Sequence, residues 1–138
     1  MMTDYLHKVQ YYETDQMGVV HHSNYVRWME EARIDCLDRL GICYAELEQR
    51  DIISPVLEVT CKYHAMSRFG ETVQIQVRLA EVGRVRYRLC YTVRDQKTGQ
   101  LRAEGETVHC FVDRKDRVIS LKRADPALYE RFCAAVEP

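Results

Sequence analysis

Asp15 stands three residues before Gly18 and shortly before His21-His22-Ser23-Asn24, inside the stretch Tyr11-Tyr12-Glu13-Thr14-Asp15-Gln16-Met17-Gly18-Val19-Val20-His21-His22-Ser23-Asn24-Tyr25. A carboxylate, a turn and a histidine therefore precede what the spacing predicts to be the longest helix. The first turn of a helix carries unpaired backbone N–H groups and the positive end of its dipole, an environment suited to a developing oxyanion. A carboxylate beside it can attack a carbonyl or activate a water that does. The chemistry implied is acyl transfer.

Each of these residues also has a plainer reading. Thr14-Asp15 ahead of a glycine makes an ordinary turn or cap. Gly18 serves a backbone that needs positive φ, and also lets the chain pass close to a ligand. Asn24, like Ser23, is a helix cap as readily as a group that orients water. The His22 side chain can bond the carboxylate, steer a water or simply pack, whereas its backbone N–H is supplied by helix geometry whatever the side chain does. Glu30 and Glu31 lie well inside the helix on a charged face and are reserve candidates only. His7, His64 and His109 read as strand residues. Gly83-Arg84-Val85-Arg86-Tyr87-Arg88 gathers arginines suited to phosphate, or to keeping an edge strand soluble; Lys115 and Arg117 are equally open.

These groups need a scaffold. From Ser23 to Leu40 the residues Tyr25, Trp28, Met29, Ala32, Cys36, Leu37 and Leu40 recur at three- and four-residue steps, forming one apolar helix face. Arg27, Glu30, Glu31, Arg33, Asp35, Asp38 and Arg39 are placed on the rest, and Gly41 ends the helix. A short helix is expected over Tyr44 to Gln49. After Asp51 the period becomes two, with strands around 57–63, 73–79, 85–91 and 101–112, and turns at Arg68-Phe69-Gly70, Gly83 and Lys97-Thr98-Gly99. Residues around Lys8 to Tyr12 supply a strand before the helix, and Asp125-Pro126 opens a terminal helix to Ala135. The short connections predict an antiparallel meander. The fold class expected is α+β, a five-stranded antiparallel sheet curled around one long helix, with edges that favour self-association.

The chain has 138 residues and a formal net charge of −1, which fits one domain, 1–138, and argues against a general nucleic-acid or anionic-membrane binder. With no bilayer-length apolar run and no secretory pattern at the start, the expected compartment is the cytoplasm and no membrane insertion is expected. Six cysteines without metal spacing read as reduced packing residues.

The junction Tyr12-Glu13-Thr14-Asp15-x-x-Gly18-Val19-Val20-x-His22-x-Asn24-Tyr25, with Glu30-x-Ala32-Arg33, Ala65-x-x-x-Phe69-Gly70-Glu71, Ala103-Glu104-Gly105 and Phe111-Val112-Asp113, resembles the hotdog-fold acyl-CoA thioesterases. The likeness is to the 4-hydroxybenzoyl-CoA thioesterase family and its Tol-Pal-associated members. The resemblance implies a hotdog fold and hydrolysis of a CoA thioester to free acid and CoA, without metal or redox cofactor. It implies a homodimer or homotetramer with sites between protomers. It makes Asp15 catalytic, as nucleophile or general base, with helix-start amides near His22 and Ser23 polarising the carbonyl and Asn24 beside them. His22 leans toward the aliphatic acyl-CoA members. Substrate contacts are expected from Gly18, from Tyr25, Trp28 and Val59 along the acyl channel, and from Arg84 and Arg86 at the CoA phosphates. The rival expectations are a hotdog hydratase or dehydratase and a non-catalytic acyl-CoA-binding protein.

Overall fold

A computed structural model describes residues 2–137. The predicted long helix forms as α1, Ser23–Arg39, burying Tyr25, Trp28, Met29, Ala32, Cys36 and Leu37. It ends one residue earlier than the periodicity suggested, at a left-handed Gly41 (φ 75°). There Ile42 N–H reaches Leu37 C=O at 2.8 Å and Gly41 N–H reaches Asp38 C=O at 3.0 Å, which satisfies two of the orphan carbonyls of the last turn. A short helix α2, Tyr44–Gln49, follows.

Period-two segments become β2 (Val56–Tyr63), β3 (Thr72–Val82), β4 (Arg86–Asp95) and β5 (Leu101–Cys110), joined by an N-terminal β1 (Met2–Lys8). The sheet is antiparallel with order β1-β3-β4-β5-β2. Two expectations change. The first strand lies earlier than Lys8 to Tyr12, because Tyr11–Glu13 closes into a 3₁₀ turn. The meander holds for β3-β4-β5, but β2 pairs with β5 and not with β3. Residues 64–71 are long enough to carry the chain across the sheet from the β2 edge to β3, beside the opposite edge strand β1. They are tied on the way by His64 N–H to Arg102 C=O, Val20 N–H to Ser67 C=O and Gly70 N–H to Val9 C=O.

Alternation places Val73, Ile75, Val77 and Leu79, with Leu89, Tyr91 and Val93, in the core beneath α1. At Gly105 the helix approaches closely: a Cβ there would meet the Met29 side chain and stand 2.6 Å from Thr60 C=O, so only glycine lets the helix lie this near the sheet. The chain closes with α3, Leu121–Ala124, and α4, Pro126–Ala134, whose cap Asp125 accepts Leu128 N–H at 3.1 Å. Phe132 packs against Tyr87 and Phe111. β2 is one of the two edges of the sheet, and its Val59 and Tyr63 remain 41% and 48% exposed.

Candidate active site

Asp15 sits in a tight turn made by its own backbone. Its N–H donates to Val19 C=O and Gly18 N–H donates to Asp15 C=O, both at 2.9 Å, and Gly18 has φ 76°. One carboxylate oxygen, Oδ1, accepts Met17 N–H at 2.8 Å. The other has no partner among the described residues. The turn reading and the chemical reading therefore coexist: one oxygen fixes the turn and leaves the other free. A Cβ on Gly18 would touch nothing, so its backbone conformation, not crowding, requires glycine there. Thr14 pairs with Val20, and His21 N–H donates to Glu13 C=O at 2.9 Å. Residues 13–15 thus run beside 19–21, with Asp15 opposite Val19, three residues or roughly 10 Å from the level of His22 at the helix start.

His22 occupies the cap position of α1 without a capping side chain. The expected Ser23 or Asn24 cap does not form. Ser23 Oγ pairs with His21 Nδ1 at 2.8 Å, and Asn24, buried, donates from Nδ2 to Glu13 C=O at 2.9 Å, where it satisfies a buried carbonyl. Asn24 N–H bonds His21 C=O at 3.0 Å, Tyr25 N–H bonds His22 C=O at 3.3 Å, and Ser23 N–H approaches His21 Nδ1 at 3.2 Å. The N–H of His22 has no partner among the described residues. Its exposed imidazole lies tilted against His21 with centroids 4.2 Å apart and makes no hydrogen bond to Asp15. Tyr63, from the edge strand, donates its hydroxyl to His22 C=O at 3.1 Å, and burial pushes that phenol up to about 12.

Two residues that sequence reasoning passed over hold this region. Glu13, 5% exposed, accepts Gln10 N–H at 2.8 Å and the Trp28 indole N–H at 2.6 Å, and its Oε1 lies 2.8 Å from His7 Nε2. Burial alone raises its carboxyl, but those bonds outweigh burial and hold it below the ordinary carboxylate value. Arg102 donates to Met66 C=O at 2.8 Å, Ser67 Oγ at 3.2 Å and Glu71 at 2.9 Å, pinning the crossing loop. A glutamate beside exposed tyrosines and an arginine in a strand carry no local mark of burial.

The remaining candidates divide. Trp28 is wholly buried and serves Glu13, while Tyr25 is buried with its hydroxyl on Ser67 Oγ at 3.0 Å. Neither lines an open channel. Val59 and Tyr63 stand on the sheet face that looks toward α1, alongside exposed Val26, which lies one turn beyond His22. Arg84 and Arg86 sit at the β3–β4 hairpin, whereas the Asp15 turn adjoins the opposite end of β3, about 30 Å away along an eleven-residue strand. The single chain does not bring them to Asp15. Glu30 pairs with Arg33, Glu31 with His7, and Arg117 with Asp113; Lys115 N–H also donates to Asp113. His7 and His109 are strand residues, and His64 follows β2 to pair with Glu104. All six cysteines are free, and no helix among the described residues is long and apolar enough to cross a membrane.

The arrangement joins a half-free carboxylate, an unpaired helix-start amide and an apolar strip leading away along an unpartnered edge. The family described as the Thioesterase-like superfamily matches residues 9–132. YneP of Bacillus subtilis is 30% identical over 120 residues, covering 86% of each chain. The structure of the DHNA-CoA thioesterase from Staphylococcus aureus superposes with a TM-score of 0.92 at 30% identity, covering 96% of this chain and 89% of that one. The hypothetical protein TT1821 from Thermus thermophilus does so at 0.90 with 36% identity over the full length of both. With the family matched across the Asp15 turn, the central helix and strands β2 to β5, the chain belongs to the Thioesterase-like superfamily, has its hotdog fold, and is a thioester hydrolase.

Proposed function

We propose that the protein hydrolyses an acyl-CoA thioester to the free acid and CoA at the mouth of the Asp15 turn. The observation that supports this reading is that an Asp15 oxygen and the His22 N–H, on the one segment that leads into the helix start, both lack partners among the described residues. The thioester carbonyl oxygen accepts from His22 N–H, so charge developing there meets a fixed donor and the positive end of α1. Asp15 then acts through its free oxygen. As nucleophile it forms a mixed anhydride, releasing the CoA thiolate, and water cleaves the anhydride; as general base it takes the proton of the attacking water. In both routes one water is consumed and the C–S bond breaks; the water's oxygen enters the acid, and the departing thiolate takes up a proton that the water gives up. Ser23, whose N–H and Oγ both meet His21, and Asn24, tied to Glu13, orient the helix start and do not donate to the oxyanion.

The acyl group lies along the strip of Val26, Val59 and Tyr63, with Gly18 bordering the entrance. Tyr25 and Trp28 support that strip from behind. A homodimer completes it. β2 is an edge strand with apolar side chains in solvent, and a second copy pairing along it antiparallel covers the strip and brings its own hairpin end to this side. In that arrangement Arg84 and Arg86 of the second copy reach the CoA phosphates. The reaction takes place in the cytoplasm and needs no cofactor beyond the CoA of the substrate.

Asp15→Asn tests the reading. Thiol release from a panel of acyl-CoA thioesters is expected to fall by about 10²- to 10⁴-fold, with the fold and oligomer retained. Turnover close to wild type would refute the role of Asp15. Binding of acyl-CoA by the unsubstituted protein without any thiol release would instead make it a non-catalytic receptor.

A further inference from the structure

Glu13 is two residues from Asp15 on the same chain segment, yet its side chain turns inward. Its oxygens tie several elements together. Oε1 takes the Gln10 N–H that closes the preceding turn and meets His7 of β1, while Oε2 takes the Trp28 indole of α1. Its main-chain oxygen accepts both His21 N–H and Asn24 Nδ2, the last residues before α1 and its first turn. His7 in turn places Nδ1 3.2 Å from Glu31, back on α1. The backbone that carries Asp15 is thus clamped to the helix that carries the His22 amide.

A buried carboxylate is an expensive way to fill a core. Its desolvation costs several kcal/mol, and an apolar residue of similar volume commonly serves stability as well or better. What a carboxylate adds is direction: charge-assisted hydrogen bonds are short, and about twice as strong as neutral ones. Direction matters here because a misplacement of about 1 Å between reacting groups can cost roughly a hundredfold in rate. We propose that Glu13 is a positioning residue for thioester hydrolysis, setting Asp15 at a fixed distance from the His22 amide through its clamp on Trp28, Gln10 and His7. This rests on the reading of Asp15 given above.

Glu13→Gln keeps the shape and breaks the clamp. Its amide nitrogen must face either the Trp28 indole N–H or the Gln10 N–H, a donor against a donor in both orientations. Trp28→Phe removes the indole donor from the other side. Trp28 is the sole tryptophan, so one indole N–H signal in a ¹H–¹⁵N spectrum reports the clamp directly. In Glu13→Gln that signal is expected to move upfield, kcat to fall by about 30- to 100-fold, and KM to stay within about threefold, because the acyl strip and CoA contacts lie elsewhere. Trp28→Phe is expected to lower kcat by about tenfold, and the double variant to lose no more than Glu13→Gln alone, since both act through one contact. If Glu13→Gln unfolds, Trp28→Phe carries the same kinetic test.

The inference is overturned if the indole signal shows the clamp broken while kcat stays within about threefold of wild type, or if the two losses multiply. A purely structural Glu13 would lower the melting temperature and leave the kcat of the folded enzyme unchanged, which overturns it equally. Asp15→Asn, run alongside, separates the two claims. An inactive Asp15→Asn with an active Glu13→Gln removes only the positioning role, whereas an active Asp15→Asn removes the reading on which that role stands.

Discussion

The two halves of α1 each carry a polar cluster, and they differ in what is left unpaired. Along the C-terminal half, Arg33 donates to Glu30 at 2.7 and 3.2 Å and to the Tyr87 hydroxyl at 3.0 Å. Tyr87 meets Ser54 Oγ at 2.5 Å, Tyr91 meets Thr107 Oγ1 at 2.7 Å, and His109 Nε2 reaches the same Thr107 at 2.9 Å. His109 is 1% exposed and stacks on Tyr87 with centroids 4.9 Å apart. Burial, and then Arg33, pull that imidazole down to about 3, and burial lifts Tyr87 to about 12. The hydroxyls and the guanidinium bond one another away from solvent, as a network that specifies packing. At the N-terminal end the Glu13 clamp is just as tight, but the residues it holds, Asp15 and His22, stand at the surface with an acceptor and a donor unused. Counting polar side chains would have ranked the Arg33 cluster higher. Counting free lone pairs and free N–H groups at the solvent boundary ranks the Asp15 turn first.

Crossing substitutions between the two clusters give the largest effects. Asp15→Asn should abolish most turnover while moving stability by no more than about 0.5 kcal/mol, because its side chain makes one turn hydrogen bond at the surface. Arg33→Met should do the reverse. It removes the partner of Glu30 and Tyr87 and is expected to cost about 3 kcal/mol in urea unfolding, with kcat of the folded protein within about threefold of wild type. A turnover loss in Arg33→Met comparable to that of Asp15→Asn, without the loss of stability, would erase the distinction.

Gly105→Ala tests the point between the halves. Its Cβ would press on Met29 and the Thr60 carbonyl, and a destabilisation of about 1–3 kcal/mol is expected by thermal unfolding. The smallest effect is a pH slope. An unfolded chain protonates His109 as pH falls below 6.5, whereas the native one resists to about 3, so stability declines with falling pH across that window. This single group contributes up to about 1.4 kcal/mol per pH unit. His109→Gln should flatten that slope between pH 6.5 and 5 in urea midpoints; an unchanged slope would mean that the imidazole is not held neutral.

Much of the site could be read before folding because it is contiguous. The Asp15 turn, the left-handed Gly18 and the start of α1 all fall within residues 13 to 25, where local turn chemistry and the 3.6-residue period decide the backbone. Helix α2 appears with the bounds its pattern suggested, and Gly41 stops α1 as a glycine in that place should. Arg33 was the counterexample: periodicity set it on the charged face, and the structure buries it at 3% exposure because Tyr87, 54 residues later, offers a hydroxyl. Glu13 is a second, its inward turn depending on His7 and Trp28 from two other elements.

From residue order alone came the element types, the α+β class and the candidacy of Asp15 and His22 for the proposed chemistry, since each follows from interactions among neighbours a few positions apart. Which strand took which edge, that Arg84 and Arg86 lie at the far end from Asp15, and that Glu13 and not Asn24 or Ser23 organises the turn were decided by tertiary structure. Those outcomes rest on pairings between distant segments. A distant partner's identity, and the side of a strand or loop it reaches, leaves no trace in the local pattern of apolar and polar residues.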